Sequence, residues 1–209
     1  MADNSTLPAA GDIIATDDIG GVKFQRVKLV YGDDGVNGGD VSLANPLPVN
    51  VASSGRSSVI NFTRPANVTA YSAGDVVSGS TSDSQLDFTS AGTAGKSIVI
   101  TEAWLRIDVA TKPSGMTMFR LHLYSAAPTA IADNAVWDLS STGDKSTYLG
   151  YIDLLSPVDV GSVLYEQTTN INKQVPLTTT TLFGLLVTNA AWTPASAQAI
   201  SIGLSFMDL

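Results

Sequence analysis

Residues 116–124 read Met-Thr-Met-Phe-Arg-Leu-His-Leu-Tyr, and from Met118 onward large apolar and mixed side chains alternate. Phe119, Leu121 and Leu123 share one parity; Met118, Arg120, His122 and Tyr124 share the other. Successive side chains of a strand point to opposite faces, so this stretch predicts a strand whose Phe119, Leu121 and Leu123 enter a core. Residues 97–109 carry a related pattern. The odd series Val99, Ala103, Leu105, Ile107 and Val109 is apolar, whereas the even series Ile98, Ile100, Glu102, Trp104, Arg106 and Asp108 is mixed. The expectation is an odd face turned inward and an even face half exposed.

Working outward, strand signals recur at 59–63, 75–78, 85–88, 97–109, 116–124, 148–154, 162–166, 180–187 and 199–206, each bounded by Gly, Pro, Asn or Ser. This spacing predicts an all-β chain built as a jelly-roll-like antiparallel β-sandwich. In 130–139, Ile131, Ala135 and Leu139 are four residues apart, but Asp133-Asn134 and the β-branched Val136 limit any helix there to a single short turn. No internal repeat or heptad is visible.

The N-terminal part reads differently. Residues 1–20 form an irregular lead-in punctuated by Pro8, Gly11 and Gly20, with Ile13, Ile14 and Ile19 as its large apolar groups. Residues 22–31, Val-Lys-Phe-Gln-Arg-Val-Lys-Leu-Val-Tyr, are strand-like, but Val22 and Phe24 sit on one parity and Val27, Leu29 and Tyr31 on the other. That shift predicts a bulge or twist near Gln25 and Arg26. The small, polar run 52–58 (Ala-Ser-Ser-Gly-Arg-Ser-Ser) suits a linker, which divides the chain into an extended N-terminal arm or small β-element, 1–55, and a sandwich, 56–209.

Composition excludes much chemistry. The chain has 209 residues, 44% of them hydrophobic and 14% charged, which is enough to bury a core. A net charge of -8 disfavours nucleic acid and anionic lipid. No run of apolar residues is long enough for a membrane span, and Met-Ala-Asp-Asn-Ser-Thr at the start does not read as a secretory signal, so the expectation is a chain made for the cytoplasm. With no Cys and one His, disulfides, thiolate nucleophiles and zinc sites built on several imidazoles have no ligands.

Few motifs remain. Any general-base mechanism at neutral pH must use His122, yet no G-x-S-x-G elbow presents a nucleophile to it. The loop 33–40 (Asp-Asp-Gly-Val-Asn-Gly-Gly-Asp) invites calcium, but the third position from Asp33 is Gly35 and the twelfth is Ala44, so a solvated turn is the better reading. No phosphate-binding glycine loop is present, and no catalytic, cofactor or metal residues are assigned. Lys23, Arg26 and Lys28 are offset by Asp12, Asp17, Asp18, Asp33 and Asp34, a balance that fits a strand added to an acidic partner's edge. Trp104, Trp137, Trp192, Tyr124 and Tyr151 are candidates for stacking on sugars, although large aromatics in a sandwich more often serve as core or interface anchors.

Three blocks carry a resemblance. Residues 14–30 (Ile-Ala-Thr-Asp-Asp-Ile-Gly-Gly-Val-Lys-Phe-Gln-Arg-Val-Lys-Leu-Val), continuing through Asp34-Gly-Val-Asn37 to Asn45-Pro-Leu-Pro-Val49, resemble an N-terminal block of structural proteins of tailed bacteriophages. Residues 62–77 (Phe-Thr-Arg-Pro-Ala-Asn-Val-Thr-Ala-Tyr-Ser-Ala-Gly-Asp-Val-Val), and residues 119–134 together with 148–153, resemble the body of the same proteins. The resemblance covers about half the chain. It implies a non-enzymatic role in the virion, most like a capsid decoration or cement protein with a jelly-roll body, and it carries over no catalytic, metal or cofactor residues.

Under that reading Ile13, Ile14, Ile19, Val22, Phe24, Arg26, Val27 and Leu29 form the partner-binding arm, because intermittent apolar groups on an extended segment need a neighbour to cover them. The expected partners are the major capsid protein and neighbouring copies of the chain, as a trimer or dimer, on the outer capsid surface after assembly in the host cytoplasm. Two alternatives stay open: a tail, collar or fibre-anchoring adaptor, and a receptor- or glycan-binding sandwich.

Overall fold

The structure is a computed structural model that describes residues 5–6, 13–14, 16–25, 55–79, 84–139 and 142–209. The chain separates into two units, 1–50 and 51–209. In the first, β1 (Ser5–Thr6) pairs antiparallel with β2 (Ile13–Ile14), and β3 (Thr16–Ile19) with β4 (Val22–Gln25). Gly20 and Gly21, at φ 62° and 84°, make the two-residue turn of the second hairpin. Two successive positive φ values are what such a turn demands, which is why a Gly-Gly pair stands there.

The second unit begins with β5 (Gly55–Thr63), β6 (Leu86–Phe88), β7 (Ser97–Ile107) and β8 (Phe119–Tyr124). After the short helix α1 (Thr142–Thr147) come β9 (Tyr148–Leu154), β10 (Val158–Asp159), β11 (Leu164–Pro176), β12 (Leu182–Thr188) and β13 (Ala199–Asp208). Antiparallel pairs nest within one another: β8 with β9, β7 with β11, β6 with β12, and β5 with β13. The described strands of this unit thus form one long antiparallel ribbon. Rolling the ribbon brings β13 beside β7 and β12 beside β8, giving sheets of order β10-β11-β7-β13-β5 and β6-β12-β8-β9. That strand order is a jelly roll, and the body is an all-β antiparallel sandwich.

The core lies between the two sheets. Phe119, Leu121 and Leu123 of β8 are fully buried against Leu105 and Ile107 of β7, Leu154 of β9 and Ile202 and Leu204 of β13 within one apolar cluster. In β7 the buried side chains are Ile98 and Ile100, then Ala103, Leu105 and Ile107, so the inward parity changes partway along the strand. The uniform odd face expected for 97–109 is therefore corrected. Ile100 pairs with Phe206 and Glu102 with Ser205, leaving Thr101 as a bulge residue whose hydroxyl donates to the Ser205 carbonyl at 3.2 Å. On the other side of β7, Asn170, Ile171 and Asn172 are inserted between the pairs Thr169–Glu102 and Lys173–Ile100. Both asparagines take positive φ, 58° and 51°, a conformation Asn tolerates better than most residues.

Other boundaries move as well. Residues 55–58 of the expected linker already belong to β5 and pair with Ser205, Phe206 and their neighbours, and Ser58 is buried. The strand expected at 75–78 is reduced to isolated bridges, Asp75 to Val136 and Val76 to Val187. The strand expected at 162–166 runs on to Pro176, because the asparagine bulge lets the pairing resume. Residues 130–139 contain no helix, and α1 lies just beyond them.

Candidate functional site

Each sheet of the body has an outer face, and the two faces are built differently. On the four-stranded sheet, register sets Phe183, Tyr124 and Tyr148 in one row, Leu185, His122 and Tyr151 in the next, and Val187, Arg120 and Asp153 in the third. Trp137 covers this face. Its ring stacks on His122 with centroids 3.8 Å apart, and its Nε1–H donates to the Tyr124 hydroxyl at 3.0 Å. The segment carrying it is tied down by backbone bonds from Val76 to Ala135, Asn134 to Val76 and Trp137 to Gly74.

His122 is accordingly a packing residue. It is 3% exposed, its Nδ1 lies 2.9 Å from the Tyr148 hydroxyl, and its pKa is lowered to about 4, first by burial and then by Arg120. Arg120 in turn bonds Asp153 at 2.7 Å and places its guanidinium 3.8 Å above the Tyr151 ring. Burial also raises the Tyr124 hydroxyl to about 12. Of the aromatics singled out in the sequence, Trp137, Tyr124 and Tyr151 therefore meet in one cluster, in which Trp137 and Tyr124 are bonded to each other.

Trp104 stands apart, on the outer face of the five-stranded sheet. Register sets Val59, Gly203, Trp104 and Gln167 in a row across β5, β13, β7 and β11, and Asn61, Ser201, Arg106 and Tyr165 in the next row. The indole occupies the space where a Cβ on residue 203 would stand, so glycine there lets the ring lie against the sheet. Tyr165 stacks beside it at 6.2 Å, with 27° between the planes. In the neighbouring row Arg106 donates to Ser201 Oγ at 2.9 Å, and Ser201 donates to Asn61 Oδ1 at 2.7 Å. A depression of about 270 Å³ opens here, lined by Asn61, Thr63, Arg106, Asp108 and Ser201.

A buried network that the sequence reading did not single out fastens the Trp137 segment. Arg64 and Asp133 form an ion pair at 3.0 Å, with both side chains almost wholly enclosed. The Tyr71 hydroxyl donates to Asp133 at 2.6 Å and accepts from Arg64 Nε; the Ser78 backbone N–H also donates to Asp133. The sequence signal was available: Arg64 and Tyr71 lie in one of the blocks quoted above and Asp133 in another.

The arm residues are placed in part. Ile13 and Ile14 pair with Thr6 and Ser5, Ile19 pairs with Val22, and Phe24 pairs with Asp17. Val22 is 56% exposed. Arg26, Val27 and Leu29, the parity shift expected beside them and the 33–40 loop lie outside the described residues. Among the described residues no group of three or more His, Asp or Glu side chains is placed to hold a metal ion, and no helix is long and apolar enough to cross a membrane.

No family model matches the chain, and neither does any curated protein. Among solved structures, the chain is similar to one of Desmodium yellow mottle tymovirus, at 17% identity over 89% of this chain and 97% of that one, with a TM-score of 0.25. The fold assignment rests on the strand order of the chain itself.

Proposed function

We propose that this chain is a non-enzymatic structural protein of a tailed-bacteriophage virion, one that decorates the capsid and holds its subunits together. The single observation that carries this reading is the division of labour in the chain. The unit 51–209 holds a jelly roll with its own core, and a separate unit, 1–50, whose described residues form short paired strands, precedes it. That unit holds the apolar set Ile13, Ile14, Ile19, Val22, Phe24, Val27 and Leu29 with Arg26, within the block that resembles phage structural proteins.

Attachment through residues 1–50 leaves the jelly roll outward on the capsid surface. A protein that binds only assembled subunits stabilises the assembly by mass action, without any catalytic step. The partners are the major capsid protein and neighbouring copies of the chain, in a closed dimer or trimer. Removing residues 1–50 abolishes binding to purified capsids while the body stays folded. Full occupancy by the truncated body would contradict the assignment, and binding restricted to tail or collar would move the protein to an adaptor role.

A further inference from the structure

We infer that the outer face of the five-stranded sheet, around Trp104, is a binding site for a neutral pyranose sugar. The inference concerns the body alone and does not depend on how the chain attaches to a particle.

Three features of the face meet the demands of such a ligand. A pyranose ring has an apolar face of C–H groups, which packs on a flat aromatic ring, and an equatorial rim of hydroxyls, each needing both a donor and an acceptor. Trp104 supplies the flat surface. It lies on the backbone at Gly203, is half-buried, and has the Tyr165 ring beside it at 6.2 Å with 27° between the planes. Because the ring is already held in place, little side-chain freedom remains to be lost on binding.

One row along the strands, Arg106 and Asp108 face the depression beside Asn61 and Ser201. Their side chains are 45% and 47% exposed and stand 3.5 Å apart, so a guanidinium donor and a carboxylate acceptor are presented together. Adjacent hydroxyls of a sugar can accept from the first and donate to the second. Asn61, exposed and bonded through its Oδ1 to Ser201, adds an amide. A shallow depression with few polar groups beside an aromatic wall suits weak, orienting contacts rather than deep enclosure.

The charge of the face selects against other ligands. Asp108 beside Arg106, on a chain of net charge -8, disfavours phosphates, nucleic acid and acidic sugars. Among the described residues on the other sheet, Tyr151 is covered on one side by Arg120, and Trp137 lies on His122. Trp104 and Tyr165 thus form the platform with hydrogen-bonding groups laid out beside it. Single-site affinity for such a shallow contact is expected to be weak, and multiple copies on one particle would raise it through avidity.

The test uses the full chain against an array of neutral and acidic oligosaccharides, followed by titration of the free neutral sugars by ligand-observed NMR. The expected result is binding to neutral hexose-containing glycans that becomes about tenfold weaker or is lost in Trp104→Ala. Arg106→Ala, which changes an exposed side chain, loses binding similarly with an unchanged melting temperature, so the test survives if Trp104→Ala fails to fold. Tyr151→Ala on the opposite sheet leaves binding intact. A blank array, binding confined to acidic glycans, or binding indifferent to both Trp104→Ala and Arg106→Ala would overturn the inference.

Discussion

Arg64 and Asp133, 69 residues apart in sequence, meet as a buried ion pair 3.0 Å long beneath the segment that carries Trp137. Desolvation of two charges is costly, and only close pairing with further hydrogen bonds offsets it. Tyr71 and the Ser78 backbone supply those bonds to Asp133, and the Ala195 carbonyl accepts from Arg64 at 3.2 Å. The pair therefore clamps three otherwise irregular stretches onto the sandwich.

Asp133→Ala leaves the Arg64 guanidinium buried without its counter-ion and is expected to destabilise the body by about 3–5 kcal/mol. Arg64→Met combined with Asp133→Ala costs less than the two single losses added together, since the groups share one network. Urea melts of the four proteins check this; strict additivity would contradict it.

His122 gives stability a defined pH dependence. Its pKa is about 4 in the folded chain, against the ordinary value of 6.5. Between those values the unfolded chain binds a proton that the folded chain does not. Stability drawn from the neutral ring is therefore complete above about pH 6.5 and is lost as pH falls toward about 4. The loss is on the order of 3 kcal/mol. His122→Gln lacks this slope, so the stability gap between the two proteins narrows as pH falls from 7 to 4. A gap that stays constant would show that the ring does not titrate in this way.

Glu166 behaves with the opposite sign. Its side chain points to the core side of β11 and is 6% exposed; Thr168 donates to Oε1 at 2.7 Å, while Oε2 is buried with no hydrogen-bond partner. Burial raises its pKa, so its favourable contribution is present below about pH 4.5 and is lost as pH rises through the folded value. Glu166→Gln removes the buried charge at nearly the same shape, and is expected to stabilise the body at pH 7 and to give no gain at pH 4. Thermal melts at the two pH values decide it.

How far the sequence could be read is clearest strand by strand. The alternation in 116–124 identified the buried Phe119, Leu121 and Leu123, because β8 keeps one parity over 119–124, and β9 runs over the expected 148–154 although a register shift at Leu149 sets Tyr148 and Tyr151 on the same face. The β7 pattern misled where Thr101 bulges, since an inserted residue reverses parity without altering composition. The extent of β11 was hidden for the same reason: Asn170 and Asn172 read as turn residues until their positive φ is seen to sit inside a strand. Run 52–58 looked like a linker because Gly and Ser carry no strand signal, yet Gly55 pairs with Met207 at the sheet edge. Pairwise geometry was beyond the sequence altogether. Nothing in the spacing says that Trp137 lies on His122 whereas Trp104 lies over Gly203.

Gly203→Ala tests that last relationship. A methyl there would overlap the Trp104 indole and force the ring off the sheet. The expected cost is about 1–3 kcal/mol, with increased solvent exposure of an indole. Trp104→Ala in the same background relieves the overlap, so the double variant is less damaged than the sum of the two. Fluorescence quenching and denaturant melts read both effects.

The central proposal, that the chain decorates a capsid, is tested most directly by quantitative mass spectrometry of phage particles purified from the source that expresses it. The account predicts copies in fixed stoichiometry with the major capsid protein, lost from the particle when residues 1–50 are deleted. Copies sufficient only for a single ring at the portal, collar or tail, or absence from the particle, would contradict it.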